Sequence, residues 1–222
     1  MTIEEMLDRV ALQHLVSAYG HGIDRQDYAL LRSLYHQDAI DDHSPYFCGP
    51  ASDFIDSLPT MLATWSATSH AMVDTLFLLD GDRAEGIVTA RAWHRTADGK
   101  RTFIAWGRYA DRYEKREGIW RFVHRFFILD ATEEHETAAE HGFGTEGVET
   151  GRAGADDPVY RRLPMFAADR PVRGGRSRPI IKEHPRMANQ RENPRQVRVS
   201  KAKGSIKKGV VGHIGRHPTS GL

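Results

Sequence analysis

The hydrophobic period changes once along this chain, and that change limits the folds open to it. From Ile3 the apolar residues Ile3, Met6, Leu7, Val10, Leu12, Leu15, Val16 and Tyr19 recur every three or four positions, the spacing of one buried helix face. A first helix is predicted to end near Gly20–Gly22. A second runs from an Asp27 N-cap over Tyr28–Tyr35 with Leu30, Leu31 and Leu34 inward, and a third covers Ala51–Trp65, with Pro59 as a candidate break. Beyond that the period is two. Asp80-Gly81-Asp82, Ala97-Asp98-Gly99-Lys100 and Lys115-Arg116-Glu117-Gly118 are turn signals between strands near 72–79, 84–96, 101–114 and 119–130. A twisted meander and three one-sided helices hide their apolar surfaces by packing together. The expected fold is α+β: three N-terminal helices on a curved antiparallel sheet, forming a cone-shaped barrel with a pocket between the two layers.

Charge divides the chain further. The segment Pro171–Leu222 holds 13 Lys and Arg against 2 Asp and Glu, whereas the preceding residues hold 18 against 28, a split that the net charge of +1 conceals. Residues 1–132 read as the barrel domain, 133–170 as an extension, and 171–222 as a basic tail too poor in apolar residues to pack. Such a tail suits non-specific contact with nucleic acid, anionic lipid or the acidic body itself. The single Cys48 excludes an internal disulfide, the acidic amphipathic start is unlike an export signal, and no apolar run reaches the ~18 residues of a membrane span. A cytoplasmic protein with no membrane partner is therefore expected. His14, His21, His36, His43, His135 and His141 lack the paired spacing of a zinc site, and Gly20-His21-Gly22 and Gly142-Phe143-Gly144 lack the strand-turn-helix context of a nucleotide loop. Neither metal nor cofactor is expected.

Six segments carry a family resemblance: His21-Gly22-Ile23-Asp24-Arg25-Gln26-Asp27, Leu34-Tyr35-His36-Gln37-Asp38-Ala39, Ser69-His70-Ala71-Met72-Val73, Ala92-Trp93-His94-Arg95, Gly107-Arg108-Tyr109-Ala110-Asp111-Arg112 and Trp120-Arg121-Phe122. In this order and spacing they resemble the SnoaL-like family of the nuclear-transport-factor-2-like superfamily. The branch most similar contains scytalone dehydratase, bile-acid 7α-dehydratase and hexachlorocyclohexane dehydrochlorinase. Asp156-Asp157-Pro158-Val159-Tyr160-Arg161 is similar to a segment that follows the domain in such proteins. The fold hosts isomerases, cyclases, hydrolases and binding proteins as well, so it does not fix the reaction.

The resemblance implies a catalytic His-Asp pair at Asp24 and His70. A neutral imidazole suits removal of a proton from an activated carbon, and a carboxylate would fix its tautomer. The competing reading is a structural hydrogen bond between two buried polar groups. Tyr19 matches a Tyr of the bile-acid enzyme, His94 resembles the second His of scytalone dehydratase, and Arg125 is similar in position to an active-site Arg, with Arg121 and His124 close enough to leave its face open. Asp24, His70, Tyr19, Arg125 and His94 are thus the candidate catalytic residues. Phe47, Phe54, Trp65, Met72 and Trp106, with Met61, are the candidate substrate-binding walls, suited to a small apolar hydroxylated or carbonyl substrate. The reading is a dehydratase-type lyase, with isomerase, cyclase or non-catalytic binding module as alternatives. The resemblance also implies a homotrimer or homodimer.

Overall fold

The computed structural model describes residues 1–137, 147–163 and 165–166. The basic tail at 171–222 lies outside the described residues, as do His141 and Gly142-Phe143-Gly144.

Helix α1, Ile3–Asp24, starts on Thr2, whose hydroxyl accepts from the Glu5 backbone N–H at 3.1 Å, with Glu4 and Glu5 against the positive end of the helix dipole. It buries Leu12, Leu15, Val16, Tyr19 and Ile23, one stripe at helical spacing. It continues past Gly20 and Gly22 instead of ending there, because both glycines are contact points. A side chain at Gly22 would strike Leu31, and a Cβ at Gly20 would come within 3.0 Å of the His70 carbonyl oxygen. The glycines let the C-terminal end of α1 approach its neighbours closely. Helix α2, Tyr28–Leu34, is capped by Asp27.

Two strands follow that the hydrophobic pattern does not announce: β1, Tyr35–His43, and β2, Phe47–Pro50. Helix α3, Ala51–Leu62, passes through Pro59 without breaking. Phe54, Ile55, Leu58 and Leu62 on its inner face are buried, at ~1.5–3 kcal/mol each, which outweighs the ~3 kcal/mol that an interior proline costs. The helix ends three residues before Trp65, which instead opens β3, Trp65–Asp80. Strands β4 (Arg83–Thr96), β5 (Arg101–Arg116) and β6 (Ile119–Glu136) complete the meander.

The sheet order is β2-β1-β6-β5-β4-β3. It is mixed, not antiparallel as expected: β1 runs parallel to β6, pairing Asp41 with Arg125, while every other ladder is antiparallel. Helix α3, between β2 and β3, carries the chain back so that β2 and β3 run the same way, and the three hairpin turns that follow bring β6 parallel to β1. The six strands form a curved, unclosed sheet with the helices packed on one face, the cone-shaped α+β fold. A short segment after the sheet returns to α1. Asp157 caps helix α4, Pro158–Arg162, and pairs with Arg25 at 2.8 Å, while Tyr160 Oη lies 3.1 Å from His21 Nε2. Among the described residues no helix is long and apolar enough to cross a membrane.

Candidate active site

Asp24 is the last residue of α1, and the close approach at Gly20 sets it against β3. Its Oδ1 lies 2.7 Å from His70 Nδ1 and accepts from the Thr68 hydroxyl at 2.8 Å; its Oδ2 accepts from the His70 backbone N–H at 2.7 Å. Burial raises the Asp24 pKa, but the bonds from His70 and Thr68 outweigh it and hold the carboxyl below its ordinary value. A carboxylate facing Nδ1 selects the Nδ1–H tautomer and leaves a lone pair on Nε2. Among the described residues Nε2 has no hydrogen-bond partner, and it is not sealed from solvent; the His70 side chain is 10% exposed.

On the neighbouring strand His94 stands edge-on to His70, with ring centres 5.3 Å apart, and lies 4.8 Å from the Trp65 ring. Burial, then the charge of His70, push its pKa down to about 4, so it is neutral near pH 7. Its Nδ1 is buried without a partner, an omission that costs about 1–3 kcal/mol unless a ligand supplies one.

Tyr19 and Arg125 lie together, but in a closed cluster. Arg125 is fully buried, donates to Asp111 at 2.9 and 2.7 Å, and places its guanidinium carbon 4.0–4.1 Å from the ring centres of Tyr19, Tyr109 and Phe122. Tyr113 also donates to Asp111, at 2.7 Å. Burial pushes the Tyr19 hydroxyl well above its ordinary pKa. Neither Tyr19 nor Arg125 makes a hydrogen bond or ring contact with His70 among the described residues. Arg125 thus pairs with Asp111 through Nε and Nη2 inside this cluster, while its Nη1 is buried without a partner among the described residues.

The model of the SnoaL-like domain matches residues 4–126, more than half of the chain. The chain belongs to the SnoaL-like domain family. No curated protein matches its sequence. Among solved structures it is similar to a scytalone-dehydratase-like protein of Novosphingobium aromaticivorans, at 21% identity, with 65% of this chain and 98% of that one covered and a TM-score of 0.56. A hexachlorocyclohexane dehydrochlorinase of Novosphingobium barchaimii is similar at 19% identity over 63% and 97% of the two chains, TM-score 0.56. A type 2 form of that enzyme matches at 19% identity over 66% and 99%, TM-score 0.58. At these identities the likeness establishes the shared fold.

Within this SnoaL-like domain the predicted walls divide. Trp65 is tilted against His94 at 4.8 Å, Met72 lies where a Cβ at Gly20 would meet it at 3.5 Å, and Phe54 and Phe47 pack together at 5.4 Å between ring centres. Met61 sits on α3, 36% exposed. Trp106 is corrected: strand alternation places Ala105 and Gly107 on the buried side and turns Trp106 to the outer face, under Arg91. The inner face of β4 and β5 is carpeted by small residues, with Ala92 between His70 and Ala105 and Ala90 between Met72 and Gly107. A broad open concavity of about 1050 Å³ lies on the other side, lined by Leu76, Leu78, Ile87, Arg112, His124 and Phe126, away from the His70 pair. Among the described residues no three His, Cys, Asp or Glu side chains are grouped to hold a metal ion. Sequence reasoning missed Thr68, Asp41, His43 and Asp111. Asp111 and Tyr113 alternate on a strand opposite Arg125, a polar periodicity that an apolar scan ignores.

Proposed function

We propose that this SnoaL-like domain is a cofactor-independent lyase that removes water from a hydroxylated apolar ring substrate, with His70 as the base. The observation that carries the reading is the Asp24–His70 pair, whose Nε2 is left unpaired beside a neutral His94 with its own Nδ1 unmet. His70 Nε2 removes a proton from carbon next to a carbonyl, Asp24 stabilises the imidazolium that forms, and the imidazolium returns that proton to the β-hydroxyl as its C–O bond breaks, so that water and the enone leave. His94, held neutral, stands edge-on beside the His70 ring and forms part of the apolar surround of the base. Arg125 and Tyr19 lie behind this site, where the Arg125–Asp111 pair fixes the sheet that carries it. The dehydratase-like and dehydrochlorinase relatives have names that denote eliminations, which is consistent with this chemistry. An isomerase or cyclase would use the same base without loss of water, and a binding module would use the pocket with no base. The apolar outer face, with Leu76, Leu78 and Ile87 exposed, supports self-association as a homotrimer or homodimer.

The test is turnover of β-hydroxycyclohexanone and β-hydroxydecalone to their enones, with calorimetric binding in parallel. Wild type turns over at least one; His70→Ala loses turnover and keeps affinity, because the base acts in the transition state. Binding without turnover in wild type would move the assignment to a binding module.

A further inference from the structure

The segment that follows the sheet is tied to one place on the barrel. Among the described residues its hydrogen bonds to the barrel go to His21 and Arg25, one helical turn apart at the C-terminal end of α1. Arg25 is held through both its backbone and its side chain. Its carbonyl oxygen accepts from the Gly154 backbone N–H at 2.6 Å, and its Nη1 donates to the Arg152 carbonyl oxygen at 3.1 Å and to Asp157 Oδ2 at 2.8 Å. Asp157 is buried, and both its oxygens are used: Oδ2 also accepts from the Arg152 backbone N–H at 2.8 Å, and Oδ1 from that of Val159 at 2.9 Å. Burial raises its pKa, but these N–H groups and the guanidinium outweigh it and keep the carboxyl below its ordinary value. A Cβ at Gly151 would lie 2.8 Å from Arg25 Nη1, so the glycine there lets the guanidinium reach Asp157.

Arg25 adjoins Asp24, and the turn that leads from them into α2 is strained. Gln26 sits at φ 51°, a left-handed conformation that a residue with a side chain keeps only when its surroundings hold it there. The Asp27 N–H reaches back to the Gly22 carbonyl oxygen at 2.8 Å to close the turn. If the anchor on Arg25 is cut, this turn can relax, and the neighbouring residue carried with it is Asp24. That residue has little room to move, because its two oxygens meet both the ring and the backbone N–H of His70. Tyr160, buried beside His21, already packs the segment onto α1. What the Arg25–Asp157 pair adds is a fixed direction for the end of the helix.

We propose that Asp157 is a positioning residue for the Asp24–His70 pair, acting through Arg25 to hold the end of α1 where the Asp24 carboxylate meets the imidazole. Its effect on turnover rests on the reading of that pair as the reacting one; its effect on the His70 hydrogen bond rests on geometry alone.

The test is made on the full chain labelled with ¹⁵N-histidine, at about pH 9, where an imidazole is neutral and its two nitrogen signals report the tautomer. Wild type holds His70 as the Nδ1–H form. Asp157→Ala moves the ratio about tenfold toward the Nε2–H form, the scale of one weakened charge-assisted hydrogen bond, and lowers kcat about tenfold with KM unchanged. Asp157→Asn gives a smaller shift in the same direction and takes the place of the alanine variant if that one does not fold. Arg25→Ala gives the same shift as Asp157→Ala, and the double variant adds nothing further. A loss of global stability alone would leave the tautomer of the folded protein where it was. A wild-type ring that is not held as Nδ1–H, a ratio unchanged in the Asp157 variants, additive effects in the double variant, or a shifted ratio with kcat intact overturns the proposal. A shifted ratio in a protein that turns over no hydroxy ketone leaves the positioning role standing and removes only the lyase reading.

Discussion

Two carboxylate pairs against the same inner sheet face have the same contact distance and opposite surroundings. Asp24 meets His70 at 2.7 Å, and Asp111 meets Arg125 at 2.7 Å. The Arg125 pair is wholly enclosed and ringed by Tyr19, Tyr109 and Phe122, whereas the His70 pair keeps one ring nitrogen unpartnered and reachable. Distance therefore does not separate chemistry from architecture here. Access does: a pair that a substrate cannot reach organises the sheet, and one with a free lone pair on a reachable ring nitrogen can react.

The comparison is broken most forcefully by removing one partner from each pair. Arg125→Met leaves the Asp111 carboxylate buried without its cation and is expected to cost about 3–5 kcal/mol of stability, read by urea unfolding. Asp24→Asn, which keeps shape at a half-open site, should cost less than half as much stability while removing most of the turnover. An equal loss of stability in both variants would make the two pairs alike and both structural.

A smaller effect sharpens the contrast through pH. The unfolded chain protonates His94 as pH falls below 6.5, while the folded protein resists until about 4. Unfolding thus takes up a proton in that window, so stability is full above pH 6.5 and falls toward pH 4, by up to about 3 kcal/mol. His94→Gln should flatten the unfolding free energy across that window; an unchanged slope would show that His94 is not held neutral. Next comes Gly20→Ala, whose Cβ would press on the His70 carbonyl at 3.0 Å. Displacing Asp24 by a fraction of an ångström is expected to lower kcat about tenfold. The smallest effect belongs to the outer face: Trp106→Ala should change kcat less than about twofold and stability by about 0.5 kcal/mol. A large loss of activity there would return Trp106 to the pocket.

How much of this was legible in the sequence follows from what each element buries. The helices and the four meander strands announce themselves because their inward residues are apolar. Strand β1 does not, since its inner positions include Tyr35, Asp41 and His43, and the fit of the two polar residues depends on hydrogen bonds made after folding. Parallel pairing with β6 leaves no local trace. The face of Arg125 was unreadable for a different reason. Counting back from the Arg116–Ile119 turn would set Asp111 opposite His124, but the ladder shifts by one residue between Tyr113–Phe122 and Arg112–His124 and turns Arg125 inward. Trp106 was misplaced because an aromatic was taken for a wall, where the inner face carries alanine and glycine. Asp24 and His70 were reached through the resemblance, and the part that periodicity could not supply was the close approach at Gly20 that joins them.

The central claim is that His70 takes a proton from carbon, and it is tested most directly by following hydrogen exchange at the carbon next to the carbonyl of decalone in deuterium oxide by proton NMR. The account predicts that wild type accelerates this exchange whether or not any product forms, and that His70→Ala, at equal ligand occupancy, loses it by about 10²–10⁴-fold. Exchange at the same rate in His70→Ala as in wild type would contradict the account.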